Sequence, residues 1–160
     1  MGMIMSYGAE TSADLVLMKW VKRITNRLSE LDTIQAGLSS FLRCHAVPEP
    51  VIGDTRLITE EVLANIIAYG YDDGEEHCIQ LSAVVNNGLL RLEFKDNGKA
   101  FNPLAAPLPD LERPVEDRPI GGLGIYMVRV LAEKTTYTRE AEENVLTVEK
   151  TFTPDLLSHP

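Results

Sequence analysis

The chain has 160 residues, 44% of them apolar and 24% charged, which allows one packed core and is ordinary for a globular protein. Fifteen Lys and Arg against 24 Asp and Glu leave a net charge of −9, which argues against direct nucleic-acid binding because that needs a basic face. A protein or small-molecule partner is the expectation. No apolar run approaches the ~18 residues that cross a bilayer. Met1 to Ser6 lacks the basic start and apolar stretch of a secretory signal, though it fits the loose N-myristoylation pattern. Cys44 and Cys78 are too few for a disulfide scaffold or a zinc site. They read as small buried hydrophobes in a protein of the reducing cytoplasm.

Residues 1–13 lack periodicity and read as an N-terminal arm, with one domain over 14–153 and a short tail after it. The apolar run Leu15 to Val21 predicts a strand. Ser29 resembles an N-cap ahead of Leu31, Ile34, Leu38, Phe41 and Leu42 at helical spacing, and Pro48 ends that helix. A second helix is expected from Val51 to Tyr69, with Gly70 as its C-cap. Cys78 to Val85 and Leu89 to Lys95 flank Asn86-Asn87-Gly88, a strong hairpin signal. Residues 99–120 hold five of the nine prolines, and a long stretch of this kind in a compact domain reads as a lid or binding loop. Gly121 to Gly124 open a third helix that runs to Glu133. Strands over 135–139 and 145–152 follow. The order β-α-α-β-β-lid-α-β-β predicts an α+β fold: a mixed or antiparallel sheet with three helices on one face.

Three places break the local pattern. Glu61 and Asn65 stand four apart and share a helix face that Tyr69 continues. A carboxylate beside an amide at this spacing can hold hydrated Mg²⁺ and a hydroxyl near it; the same pair is also met as a plain boundary pair on a helix. Period-2 alternation puts Asp96 on the face of Leu90, Leu92 and Phe94. A carboxylate there needs a donor, from the protein or from a ligand such as the exocyclic amine of adenine, and Gly98 lets backbone approach a flat ring. Alternatively, Asp96-Asn97-Gly98 is a turn that ends a strand. The glycines at 121, 122 and 124 can aim backbone N–H groups at an anion from a helix start. They form neither a Walker A loop nor a dinucleotide fingerprint.

Taken together, Glu61-(x)3-Asn65 on a helix, Asp96-x-Gly98-x-x-Phe101-x-Pro103 at a strand end, a proline-rich stretch and Gly122-Leu123-Gly124 opening a helix resemble the GHKL ATPases. Within that group the chain resembles the anti-sigma-factor serine/threonine kinases of bacteria, over about residues 12–153. The resemblance implies a Bergerat-type two-layer sandwich that binds ATP and Mg²⁺. It implies that Asn65 is the metal ligand, that Glu61 is the general base and that Asp96 reads the adenine amine with Gly98 beside it. It further implies that residues 99–120, with Phe101, form the lid, and that Gly122, Leu123 and Gly124 hinge it and meet phosphate. Ile120 and Gly121 stand where some relatives carry polar groups; either Arg118 or Arg113 compensates or the phosphate contacts are weaker, and both arginines also read as solvated lid charges.

The implied activity is phosphorylation of an anti-sigma antagonist of the STAS type, together with sequestration of a sigma factor, and a homodimer is compatible with it. A nucleotide-responsive binding module without kinase activity is the alternative; it needs Asp96 and the glycines but no base, so Glu61 favours the kinase. A detached histidine-kinase domain fits less well, because His45 precedes Ala46-Val47-Pro48 rather than acidic residues. His77 and His159 have no partner at ligand spacing, and Trp20 reads as core or interface.

Overall fold

A computed structural model of the chain describes residues 18–105 and 123–154. Among the described residues, five strands and three α-helices follow one another as β1 (Met18–Thr25), α1 (Leu31–Cys44), α2 (Glu49–Tyr69), β2 (Cys78–Asn86), β3 (Leu89–Asp96), α3 (Leu123–Leu131), β4 (Lys134–Glu140) and β5 (Glu143–Thr151). The sheet is antiparallel throughout, in the order β1-β2-β3-β5-β4. Strand parity decides its two faces. Ile79, Leu81, Ala83 and Val85 on β2 and Leu90, Leu92 and Phe94 on β3 are buried, and they join Ile34, Leu38, Leu42, Ile52, Ile58, Val62, Leu63 and Val128 of the helices in one core. The α+β sandwich expected from the sequence is the fold observed.

Phe94 lies at the centre of the sheet, pairing with Leu81 on one side and Leu146 on the other, and is 1% exposed. Phe94→Ala is expected to cost about 3–5 kcal/mol, because the neighbouring strands cannot collapse into the space left behind. Urea unfolding checks this as a lower midpoint at unchanged slope.

Several boundaries differ from the sequence reading, each for a local reason. β1 runs on through Lys22-Arg23-Ile24-Thr25, because Ile24 alternates inward and is 4% exposed; residues 15–17 lie outside the described part. Ser29 is not an N-cap. It sits in a 3-10 turn, Leu28–Glu30, and Glu30 precedes α1 without a side-chain cap. α2 starts at Glu49, with Pro50 inside its first turn, where no N–H is needed. Gly70 ends α2 in a right-handed conformation (φ −70°), not the left-handed one of a glycine cap. Pro103–Ala105 forms a short 3-10 turn inside the proline-rich stretch. Cys44 and Cys78 are exposed, one at a helix end and the other on the outward parity of β2, rather than buried.

The β2–β3 hairpin turns as expected, with Asn87 (φ 46°) and Gly88 (φ 77°) both left-handed. β4 and β5 join through Ala141 (φ 45°) and Glu142 (φ 70°), an unusual conformation for side-chain-bearing residues. Trp20 packs on Gly37 of α1, where an added Cβ would lie 3.3 Å from the indole, so it belongs to the core side. His45 closes α1, its Nδ1 2.6 Å from the Phe41 carbonyl.

Candidate functional site

The C-terminal half of α2, the end of β3 and the head of α3 meet at one end of the sheet. α2 buries Val62 and Leu63 and leaves Glu61 and Asn65 half-buried at the rim of the core. Glu61 reaches across to α3. A Cβ built on Gly124 would lie 2.9 Å from the Glu61 Cδ and would overlap its carboxylate, so only a glycine lets this carboxylate rest on the helix head. Asn65 follows one turn later on the same face of α2, and among the described residues its amide makes no hydrogen bond.

Asp96 is 5% exposed, as the inward parity of β3 predicts. The Gly98 backbone N–H (2.9 Å) and the Asn144 Nδ2 (2.8 Å) both donate to its Oδ1. Oδ2 accepts no hydrogen bond among the described residues, so the carboxylate is oriented from one side and offers the other. The turn after it is pinned to α2, the Lys99 N–H donating to the Gly70 carbonyl at 2.8 Å. A Cβ on Gly98 would lie 2.7 Å from that carbonyl oxygen, so the close approach of the two segments requires a glycine.

Asn144 stands one residue ahead of the strand expected over 145–152 and was not singled out in the sequence, yet it carries the most connections in the site. Its Nδ2 donates to Asp96 and to the Lys99 carbonyl (2.9 Å), and its Oδ1 accepts from the Tyr137 hydroxyl (2.7 Å) and the Arg139 Nη1 (2.9 Å). The same Arg139 nitrogen donates to the Gly98 carbonyl at 2.9 Å. β4 and β5 thus fix both Asp96 and the loop after it. Asn144→Ala is expected to reduce stability by about 1–3 kcal/mol, because buried groups lose their partners. It should also weaken nucleotide binding; chemical unfolding and calorimetric titration on the same variant measure the two losses.

Tyr71 stacks on His77 (ring centroids 4.1 Å apart, planes 9° apart), and burial first, then the Asp96 charge, holds its hydroxyl well above the usual phenol pKa. His77 is partnered by Asp73 at 2.8 Å, and Asp73 is held below the usual carboxylate range by the Glu75 backbone N–H and then by that imidazole. Lys99 and Asp72 form an exposed ion pair at 2.7 Å, which adds little.

Of the residues singled out in the sequence, Glu61 and Gly124 touch, as do Asp96 and Gly98, and Asn65 shares the face of Glu61. Phe101 (58% exposed) and Leu123 (52% exposed) stand outside the buried floor of the site. Residues 106–120 of the expected lid, with Arg113 and Arg118, lie outside the described residues, as do Gly121, Gly122, the N-terminal arm and residues 155–160.

The residues present fit a magnesium nucleotide. Mg²⁺ takes oxygen ligands and keeps several waters, so a single amide oxygen with a carboxylate near it suffices. An inward carboxylate with one oxygen open is an acceptor for an amine on a flat ring.

Residues 24–150 match the family described as the histidine kinase-like ATPase domain. The chain belongs to that family. Serine/threonine-protein kinase BtrW of Bordetella bronchiseptica is 29% identical over 99 residues, 62% of this chain and 70% of that protein. The anti-sigma F factor of Clostridium botulinum is 32% identical over 99 residues, 58% of this chain, and the aligned part spans 64% of the relative, under two thirds of its length. These relatives carry the names of a serine/threonine kinase and an anti-sigma factor, and the ATPase-like domain that the chain shares with its family implies ATP binding. The structure of the RsbU and RsbW domains of Rv1364c from Mycobacterium tuberculosis overlays with a TM-score of 0.59 at 15% identity. It covers 83% of this chain and 32% of that one, and shows the fold. Among the described residues no helix is long and apolar enough to cross a membrane.

Proposed function

We propose that the protein is an ATP-dependent serine/threonine kinase that phosphorylates an anti-sigma antagonist and sequesters a sigma factor. The observation that carries this reading is Glu61, a carboxylate seated on the head of α3 at Gly124 and sharing a helix face with the amide of Asn65. A domain that only binds nucleotide has use for Asp96 and Gly98 but none for a carboxylate at that place.

In this reading Asp96 accepts the adenine amine through Oδ2, and Gly98, Asn144 and Arg139 keep it turned that way. Asn65 supplies a metal-facing oxygen, and Mg²⁺ on the nucleotide supplies charge neutralisation at the phosphates. Glu61 orients the hydroxyl of a serine or threonine on the partner and accepts its proton. Phosphoryl transfer asks little covalent work of the protein, so positioning and charge are what these residues contribute.

The test incubates the protein with γ-labelled ATP, Mg²⁺ and candidate STAS-type antagonists, and maps the label. Label on a partner serine or threonine is expected. ATP-dependent capture of the partner without label would overturn the kinase reading in favour of a binding module.

A further inference from the structure

One lysine outside this site ties together the same two helices that form it. Lys150 lies on the inward parity of β5, where Asn144, Leu146 and Val148 precede it, and its side chain is 14% exposed. Its Nζ donates to the Leu131 carbonyl at 2.7 Å and pairs with Asp54 Oδ2 at 3.0 Å. Leu131 is the last residue of α3, so this carbonyl is one of those a helix end leaves without an intrahelical donor, and a cation there also suits the helix dipole. Asp54 is on α2.

The spacing connects this contact to Glu61. Asp54 and Glu61 are seven residues apart on α2, two turns along one face, and Ile58 between them is 1% exposed. Leu131 and Gly124 are also seven apart on α3, and Val128 between them is 1% exposed. Each interval is about 10.5 Å at the helical rise. The two helices therefore run antiparallel in matched register. Glu61 meets Gly124 at one end, Asp54 and Lys150 hold Leu131 at the other, and core side chains lie between.

We propose that Lys150 is a positioning residue for phosphoryl transfer: by clamping the foot of α3 to α2, it sets where the head of α3 presents Gly124 to Glu61. The proposal rests on the kinase reading above. Lys150 touches neither nucleotide nor substrate in it; the lysine acts through a rigid helix of nine residues. A flexible foot would let α3 slide along α2, and the first thing to move would be the fit at Gly124.

The test compares wild type with Lys150→Met, which keeps most of the stem and removes the charge. In the nucleotide-free protein, amide exchange over residues 123–127 is expected to speed up several-fold, because the helix head opens more readily. Adenosine, which has no phosphates and reports the Asp96 pocket alone, should bind within about twofold of wild type, whereas Mg·ATP affinity and transfer rate should each fall about tenfold. Lys150→Arg, which can still donate to both partners, should restore most of the loss. Unchanged exchange at 123–127 overturns the clamp, as does an equal loss of adenosine and ATP binding. Should Lys150→Met not fold, Asp54→Asn keeps the Leu131 bond and yields the same comparison at smaller amplitude. A wild-type protein that transfers no phosphate sinks the kinase reading, and the exchange comparison then decides the clamp by itself.

Discussion

Asp96→Asn is expected to weaken ATP binding by about 100-fold, equivalent to roughly 2.7 kcal/mol, and to leave the fold intact. The Gly98 N–H and the Asn144 amide both point at Oδ1, so the substituted side chain must place its oxygen there to keep them. That choice turns its NH₂ toward the adenine amine, setting donor against donor. The opposite choice leaves two protein donors facing an NH₂ group and gives up the arrangement that orients the residue. Either way a charge-assisted hydrogen bond to the ligand is lost, worth about 1.5–3 kcal/mol, and a repulsive contact is added. Calorimetric titration with ATP measures the loss, and urea unfolding of the same sample shows whether it is local. Wild-type affinity in the variant would remove Asp96 from the purine site.

Asp96 itself was legible in the sequence, because period-2 alternation from Leu90 puts it on the buried face whatever the rest of the chain does. The β2–β3 hairpin was legible for the same kind of local reason: Asn87-Gly88 takes the two left-handed conformations that the turn demands. The β4–β5 turn was not, because Ala141 and Glu142 adopt those conformations against their own preference, within a hairpin whose strands pair from Glu140 with Glu143 outward. Asn144 itself falls between these cases. It has the parity of Leu146 and Val148, the same sign of an inward polar group that marked Asp96, and reading β5 by alternation would have exposed both it and Lys150. Arg139 could not be found this way. Its role comes from a register that places β4 against β5 across a tight turn and β5 against β3, and β3 is distant in sequence from both, so Arg139 reaches the Gly98 carbonyl only through long-range pairing. The contact of Glu61 with Gly124 is likewise a fact of helix packing: the sequence supplied both residues, and the crossing of α2 and α3 supplied their meeting.

That meeting leads to the second large effect. Glu61→Gln preserves the shape of the side chain and removes its basicity, so ATP affinity should stay within about twofold while transfer to the partner falls about 10²–10⁴-fold, the usual contribution of a positioned general base. Gly124→Ala should reach a similar loss of transfer by a different route. The added methyl would lie 2.9 Å from the Glu61 Cδ and occupy the place of the carboxylate, which can swing away because it is the free end of a flexible side chain. The helix gains up to about 1 kcal/mol from exchanging glycine for alanine, so stability should hold or rise while activity disappears. A variant that is at least as stable as wild type and cannot transfer phosphate separates a misplaced base from a damaged fold. Combining both changes should cost hardly more than either alone, since a glutamine that has already lost its basicity has nothing further to lose by being displaced. Full additivity of the two losses in single-turnover transfer would mean that Gly124 acts on the phosphates independently of Glu61 and that the contact between them carries no catalytic weight.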